Sequence, residues 1–173
     1  LPWSSPACAI SGTKPMMRVV GISALVAFLL DQLTKNHALY VLDLDRVGVL
    51  QIWPPYLVYQ MGWNTGINFG LFGGADPSVT RWILIAVAVI IAVWVVWWVR
   101  KEQVGRLGQI SAGLLVGGAL GNVVDRVIYG AVVDFLNMSC CGIQNPFSFN
   151  VADVFVFAGA IGLVLFTSSH KTP

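Results

Sequence analysis

Residues 82–99 read WILIAVAVIIAVWVVWWV, with no charge and no proline among them. A strand rarely runs past about ten residues, and a membrane span needs roughly 20 predominantly apolar ones. The stretch is therefore a spanning helix. Three more apolar segments flank it: Val19 to Leu30, which can continue as a helix through DQLTKNHALYVL, Leu107 to Val124, rich in Gly and Ala, and Val151 to Thr167. Each reaches span length once its flanks are counted. Hydrophobic residues make up 57% of the 173 positions and charged residues 10%, against about 25% charged in soluble domains. A soluble globular class is excluded, and a net charge of +2 gives no argument for nucleic acid. The expected fold is an all-α membrane protein, a four-transmembrane-helix bundle forming one domain over residues 16–170. Residues 1–15 (LPWSSPACAISGTKP) lack periodicity and read as a disordered extension or an expression scar before Met16-Met17.

Lys and Arg set the orientation. Lys14 and Arg18 precede the first span, Arg100, Lys101 and Arg106 crowd the turn between the second and third, and Lys171 follows the fourth. Lys35, Arg46, Arg81 and Arg126 are spread over far longer connections. Both termini and the 100–106 turn are expected on the cytoplasmic side of the membrane. The connections at about 36–81 and 128–150 are then extracytoplasmic. In the first of these, Val47, Val49, Gln51 and Trp53 alternate, Pro54-Pro55 breaks the run, and Leu57, Tyr59, Met61 and Trp63 alternate again. This pattern predicts a small antiparallel sheet within a β-rich connection at about 40–80. Gly113, Gly117 and Gly121, four apart on the third span, predict close helix packing.

Of eight acidic residues, Asp43, Asp45, Asp76 and Glu102 read as solvated charges. Asp31, Asp125, Asp134 and Asp153 do not: each lies in or at the end of an apolar segment, and all four fall toward one side of the membrane. A carboxylate at the bilayer centre costs about 2.5–3.5 kcal/mol on insertion scales. One such Asp reads as a helix-end charge reaching water, whereas four from different segments at one depth read as a site. Asp134, in GAVVDFLN, follows the third span and Asp153, in FNVADVFVF, opens the fourth; these two spans are joined directly, so the two ends can meet. Two carboxyls that meet share a proton. One then acts as base toward water while the other protonates a carbonyl. Asn122, Asp125 and Arg126 lie on one helical face. The aspartate and arginine of that face read as structural, whereas Asn122 and Asn150 read equally as ligands of a substrate backbone or as helix cross-links. His37 and His170 are not clustered with other metal ligands, and Cys140 and Cys141 read as ordinary thiols. Neither metal nor cofactor is expected.

The chain resembles bacterial lipoprotein signal peptidase, the type II signal peptidase. The resemblance rests on Asp31-Gln-Leu-Thr-Lys35, Asn64-Thr-Gly66 with Phe69, Gly117-Gly-Ala-Leu-Gly-Asn122 running on to Asp125-Arg126, Val133-Asp134-Phe135, and Phe149-Asn150 with Ala152-Asp153. It covers Met17 to Thr167. It implies four transmembrane helices, an extracytoplasmic β-cradle and a short helix on that side. It also implies an aspartic endopeptidase that removes the signal peptide of diacylglyceryl-modified prolipoproteins, cutting before the lipidated cysteine, and inhibition by globomycin. The implied catalytic pair is Asp134 and Asp153. The other characteristic positions are Asp31, Lys35, Asn64, Gly66, Asn122, Asp125, Arg126 and Asn150. Ile67-Asn68 depart from the two small residues that many members carry there. A proton-coupled transporter also uses intramembrane acids, but no inverted repeat or broken helix is visible.

Overall fold

A computed structural model describes residues 13–66, 77–143 and 145–167 of the chain. Helix α1, Thr13–Asn36, opens it and continues as one π-helical turn over His37–Val41. The short helix α2, Leu44–Val47, leads into strands β1, Val49–Trp53, and β2, Leu57–Asn64. Helices α3, Pro77–Glu102, and α4, Arg106–Tyr129, follow, then strand β3, Val132–Asn137, and helix α5, Val151–Thr167. Residues 1–12, Ile67-Asn68, Phe69 and Asp76 lie outside the described residues. Helix α1 begins at Thr13, inside the stretch expected to precede the fold.

Three helical segments, Met17–Val41, Ser78–Glu102 and Arg106–Tyr129, are long and apolar enough to cross a membrane. The fourth, α5, is shorter at 17 residues, about 25 Å at 1.5 Å per residue. The expected hairpin is present, with Val49 opposite Gln60 and Leu50 opposite Tyr59. Val47, expected in the strand pattern, closes α2 instead.

The hairpin is two thirds of a sheet. Its third strand, β3, carries Asp134 and pairs antiparallel with β2, setting Gly62 opposite Asp134 and Trp63 opposite Val133. Successive strand side chains point to opposite faces. Val133 and Phe135 accordingly enter an apolar cluster with Ala38, Leu39 and Leu44. Asp134, between them, turns to the other face. The outer edge of β3 is closed by Phe149, whose carbonyl accepts from the Phe135 and Leu136 amides and whose N–H donates to the Leu136 carbonyl. That bridge delivers the chain to Asn150 and the start of α5.

Helix α4 packs against α1, α3 and α5. Its small residues make this possible. A Cβ on Gly113 would stand 2.6 Å from the Val20 carbonyl, and one on Gly117 would enter the Ala24 carbonyl and lie 2.8 Å from Ala27 Cβ. On the side toward α5, Gly118 touches the Ala152 carbonyl. Packing thus accounts for Gly113 and Gly117. The third of the series, Gly121, instead makes room for the Asp31 carboxylate. A second apolar cluster of Val20, Val95, Val99, Ala112, Leu115 and Leu163 fills the bundle toward the α3–α4 turn. The polar residues gather at the opposite end.

Backbone crowding cannot be relieved by a rotamer change, and overpacking costs typically 1–3 kcal/mol. Gly117→Ala is expected to destabilise the protein by about 3 kcal/mol in detergent thermal unfolding. Gly21→Ala, where an added Cβ meets nothing within 4 Å, is expected to leave the midpoint unchanged or raise it slightly.

Candidate active site

At the sheet end of the bundle one ammonium is shared by three acceptors. Lys35 Nζ lies 2.8 Å from Asp31 Oδ2, 2.7 Å from Asp125 Oδ2 and 3.0 Å from Asn122 Oδ1. Lys35, Asp31 and Asp125 are all buried. Two carboxylates against one ammonium would be unfavourable in a low dielectric without further donors. The donors are present. Gln32 Nε2 bridges Asp31 Oδ2 and Asp125 Oδ1 at 3.1 Å each. The Ala152 amide, in the first turn of α5, donates to Asp31 Oδ1 at 2.9 Å, and the Val133 amide donates to Asp125 Oδ2 at 3.1 Å.

Asp125 therefore pairs with Lys35 rather than with its neighbour Arg126, as its structural reading allowed. Arg126 donates to the Asn122 carbonyl at 3.3 Å, and its buried Nε has no hydrogen-bond partner among the described residues. Gln32 was not among the residues expected to matter. Its place beside Asp31, facing α4 at the same depth, was the available signal.

Asn122 links this cluster to the Asp153 carboxyl. Its Oδ1 accepts from Lys35 and, at 3.1 Å, from Asn150 Nδ2, which leaves its own Nδ2 to donate to Asp153 Oδ1 at 2.9 Å. Asn150 is fully buried and serves both carboxyls. Its Nδ2 donates to Asp134 Oδ1 at 2.6 Å, and its backbone N–H donates to Asp153 Oδ2 at 3.1 Å. Asn150 Oδ1 accepts from the Asp153 N–H at 2.9 Å. The reciprocal bonds between Asn150 and Asp153 form a capping box at the N-terminus of α5, where the helix dipole favours a carboxylate.

The other oxygen of Asp134, Oδ2, accepts from Asn64 Nδ2 at 3.0 Å. Asn64 is held in turn by the Gly66 amide, which donates to its Oδ1 at 2.9 Å. Gly66 has φ +81°, a conformation glycine adopts readily. All ten expected site residues thus fall in one region. Asp134, Asp153, Asn64, Asn122 and Asn150 form the hydrogen-bonded front, Asp31, Lys35 and Asp125 lie behind it, and Arg126 and Gly66 flank it.

Burial raises the Asp134 carboxyl to about 6, and the nearby Asp153 charge pushes in the same direction against the Asn64 and Asn150 hydrogen bonds. With the folded-state value raised, this group's contribution to stability is full below its ordinary 3.8 and is lost as pH rises through about 6. The site is thus held at some cost to stability near neutrality. A cleft of about 220 Å³ opens beside Asp134, walled by Gln60, Gly62, Trp63, Phe147 and Ser148. Asp45, read as a solvated charge, accepts from Trp63 Nε1 at 2.9 Å and steadies one wall. Asp43 forms an exposed pair with Arg46. Cys140 and Cys141 are free and exposed. Among the described residues no group of three His, Cys, Asp or Glu side chains is placed to hold a metal ion.

Breaking a buried ion pair from one side costs about 3–5 kcal/mol. Lys35→Met should lower the unfolding free energy in detergent by that amount, because it strands two buried carboxylates. Arg46→Gln, at a pair whose side chains are 83% and 53% exposed, should be indistinguishable from the parent.

Residues 23–169 match the family model described as signal peptidase (SPase) II. The lipoprotein signal peptidase of Rhodopseudomonas palustris is 40% identical over 151 residues, covering 86% of this chain and 90% of that protein. That of Nitrobacter hamburgensis is 37% identical over 155 residues, covering 88% and 92%. A bacterial membrane enzyme solved by the in meso method at 1.9 Å superposes with a TM-score of 0.72 at 26% identity, covering 91% of this chain and 96% of its own.

Proposed function

The chain belongs to the signal peptidase II family, and we propose that Asp134 and Asp153 are the carboxyl pair with which it cleaves. It is a membrane-embedded, multi-pass aspartic endopeptidase that removes the signal peptide from prolipoproteins. The observation that carries the dyad assignment is the double role of Asn150: one residue donates to both carboxyls, from its side chain and from its backbone. Asp134 lines the cleft and Asp153 is half-buried, whereas among the described residues Asp31 and Asp125 are sealed around Lys35.

In the proposed reaction one carboxylate of the pair takes a proton from a water as its oxygen bonds to the scissile carbonyl carbon. The protonated partner gives its proton to the carbonyl oxygen. Collapse of the resulting diol breaks the C–N bond, and the proton returns to the departing amine. The pair titrates as a unit, so acid and base belong to both groups together. Burial of Asp134 and the nearness of Asp153 raise the affinity of the pair for its shared proton. The scissile bond precedes a diacylglyceryl-modified cysteine. The peptide enters the cleft beside Asp134, and its lipid tails stay in the bilayer. A cyclic peptide of the globomycin type competes for the same cleft.

The dyad lies on the extracytoplasmic side, with both termini and the α3–α4 turn in the cytoplasm. Support comes from the crowding of Arg100, Lys101 and Arg106 into that short turn. A secreted precursor presents its modified cysteine on the same face as the dyad.

Asp134→Asn and Asp153→Asn keep the side-chain shape but cannot exchange the proton. Each is expected to reduce release of signal peptide from a purified diacylated precursor by at least about 10³-fold while leaving unfolding in detergent cooperative. Near-normal turnover by either variant would remove that residue from the dyad.

Orientation is testable with the exposed Cys140 and Cys141. In spheroplasts expressing the Cys8→Ser chain, an impermeant maleimide should tag them. A cysteine at Gln103, in a background lacking Cys8, Cys140 and Cys141, should be spared until the membrane is opened. The reverse pattern would place the dyad on the wrong side for its substrate.

A further inference from the structure

A second cavity, larger than the cleft beside Asp134, shares none of its lining residues. A groove of about 680 Å³ runs between α3 and α4, within the roughly 300–1,000 Å³ range of small-molecule sites. Its floor is small and apolar, with Ala92 and Val116 buried, and its rim carries Leu120. Along α3 it follows Val89, Val93 and Val96 and ends at Trp97, Arg100 and Lys101. These positions recur three and four residues apart and form one helix face.

We propose that this groove binds one anionic phospholipid, with an acyl chain along the valine face and the phosphate between Arg100 and Lys101. Length favours a lipid over a spanning peptide. From Val89 to Arg100 is 11 residues, roughly 16 Å of helix, and half of a hydrocarbon core about 30 Å thick is about 15 Å. A spanning segment would need twice that. Charge decides the headgroup. Two adjacent cations close one end of the groove, and no salt bridge among the described residues engages either of them. Glu102, the acid in the same turn, is exposed and makes none with them. Lys101 Nζ sits 5.4 Å from the centroid of the Trp97 ring, and tryptophan at a helix end marks headgroup depth. Basic pockets between transmembrane helices attract anionic lipid headgroups. The site is separate from the dyad. It opens at the α3–α4 turn, whereas Asn122 and Asp125 lie in the last two turns of α4.

The test uses the full chain in detergent, with native mass spectrometry during titration by phosphatidylglycerol and by phosphatidylcholine of matched chains. Attraction near a charged surface corresponds to about a fivefold preference per cation. Phosphatidylglycerol should therefore be retained up to about 30-fold over phosphatidylcholine at low ionic strength. Arg100→Gln with Lys101→Gln should bring the ratio near one, and glycerol phosphate alone should not displace the lipid. Phosphatidylglycerol with brominated chains should quench tryptophan emission, and the quenching should shrink in Trp97→Phe. That second measurement keeps both cations in place and stands if the charge variant fails to fold. Equal retention of the two lipids, a preference that survives the charge variant, or quenching unchanged in Trp97→Phe would overturn the proposal. So would a dimer that forms on this face and excludes lipid.

Discussion

Lys35 Nζ meets Asp31, Asp125 and Asn122 within 3.0 Å, where almost no water reaches. Those acceptors bring the other elements with them. Asp31 takes the Ala152 amide of α5, Asp125 takes the Val133 amide of β3, and Asn122 reaches Asp153. One ammonium thus links α1, α4, α5 and β3. A buried charge is tolerable when every lone pair and proton nearby is satisfied, and Gln32 supplies the remaining donors. Removing any member exposes the others to an unfavourable dielectric. The cluster therefore fixes the relative placement of the elements that carry Asp134 and Asp153.

The amides in front of that cluster have defined orientations for the same reason. An asparagine side chain can flip, exchanging donor and acceptor. Asn122 is held one way because its oxygen faces Lys35 and the Asn150 amide. Its nitrogen is then left for Asp153. Asn150 is held because its oxygen caps α5 and its nitrogen faces Asp134. The glycines serve this arrangement too: Gly117 lets α1 approach α4, and Gly121 opens the space that the Asp31 carboxylate fills. Apolar packing toward the α3–α4 turn and polar cross-links at the other end divide the work of holding the bundle.

Much of this was legible in the sequence. The helices follow from uninterrupted apolar runs, and the β1–β2 hairpin follows from alternation around Pro54-Pro55. The convergence of Asp31, Asp125, Asp134 and Asp153 follows from their positions in or at the ends of apolar segments on one side. The third strand was not legible. VVDFLN is apolar on both sides of its single aspartate because both of its faces are buried, so it lacks the alternation that marked β1 and β2. Its partner lies some 70 residues earlier, as the Asn64–Asp134 contact illustrates. The role of Gln32 was hidden by chemistry: a neutral amide between two acids carries no charge pattern. Asp125 was read as structural, and the partner that gives it that role, Lys35 reaching across from α1, lies 90 positions away in the sequence and could not be read from local spacing.

Asp134, hung with Asp153 from Asn150, has its carboxyl raised above the ordinary carboxylate range by burial. Infrared titration of the purified protein, differenced against Asp134→Asn, isolates that carboxyl. A protonated-carboxyl C=O band should persist until the pH rises through about 6 and be missing from the variant. Loss of the difference band by about pH 4, the ordinary aspartate range, would contradict that raised value.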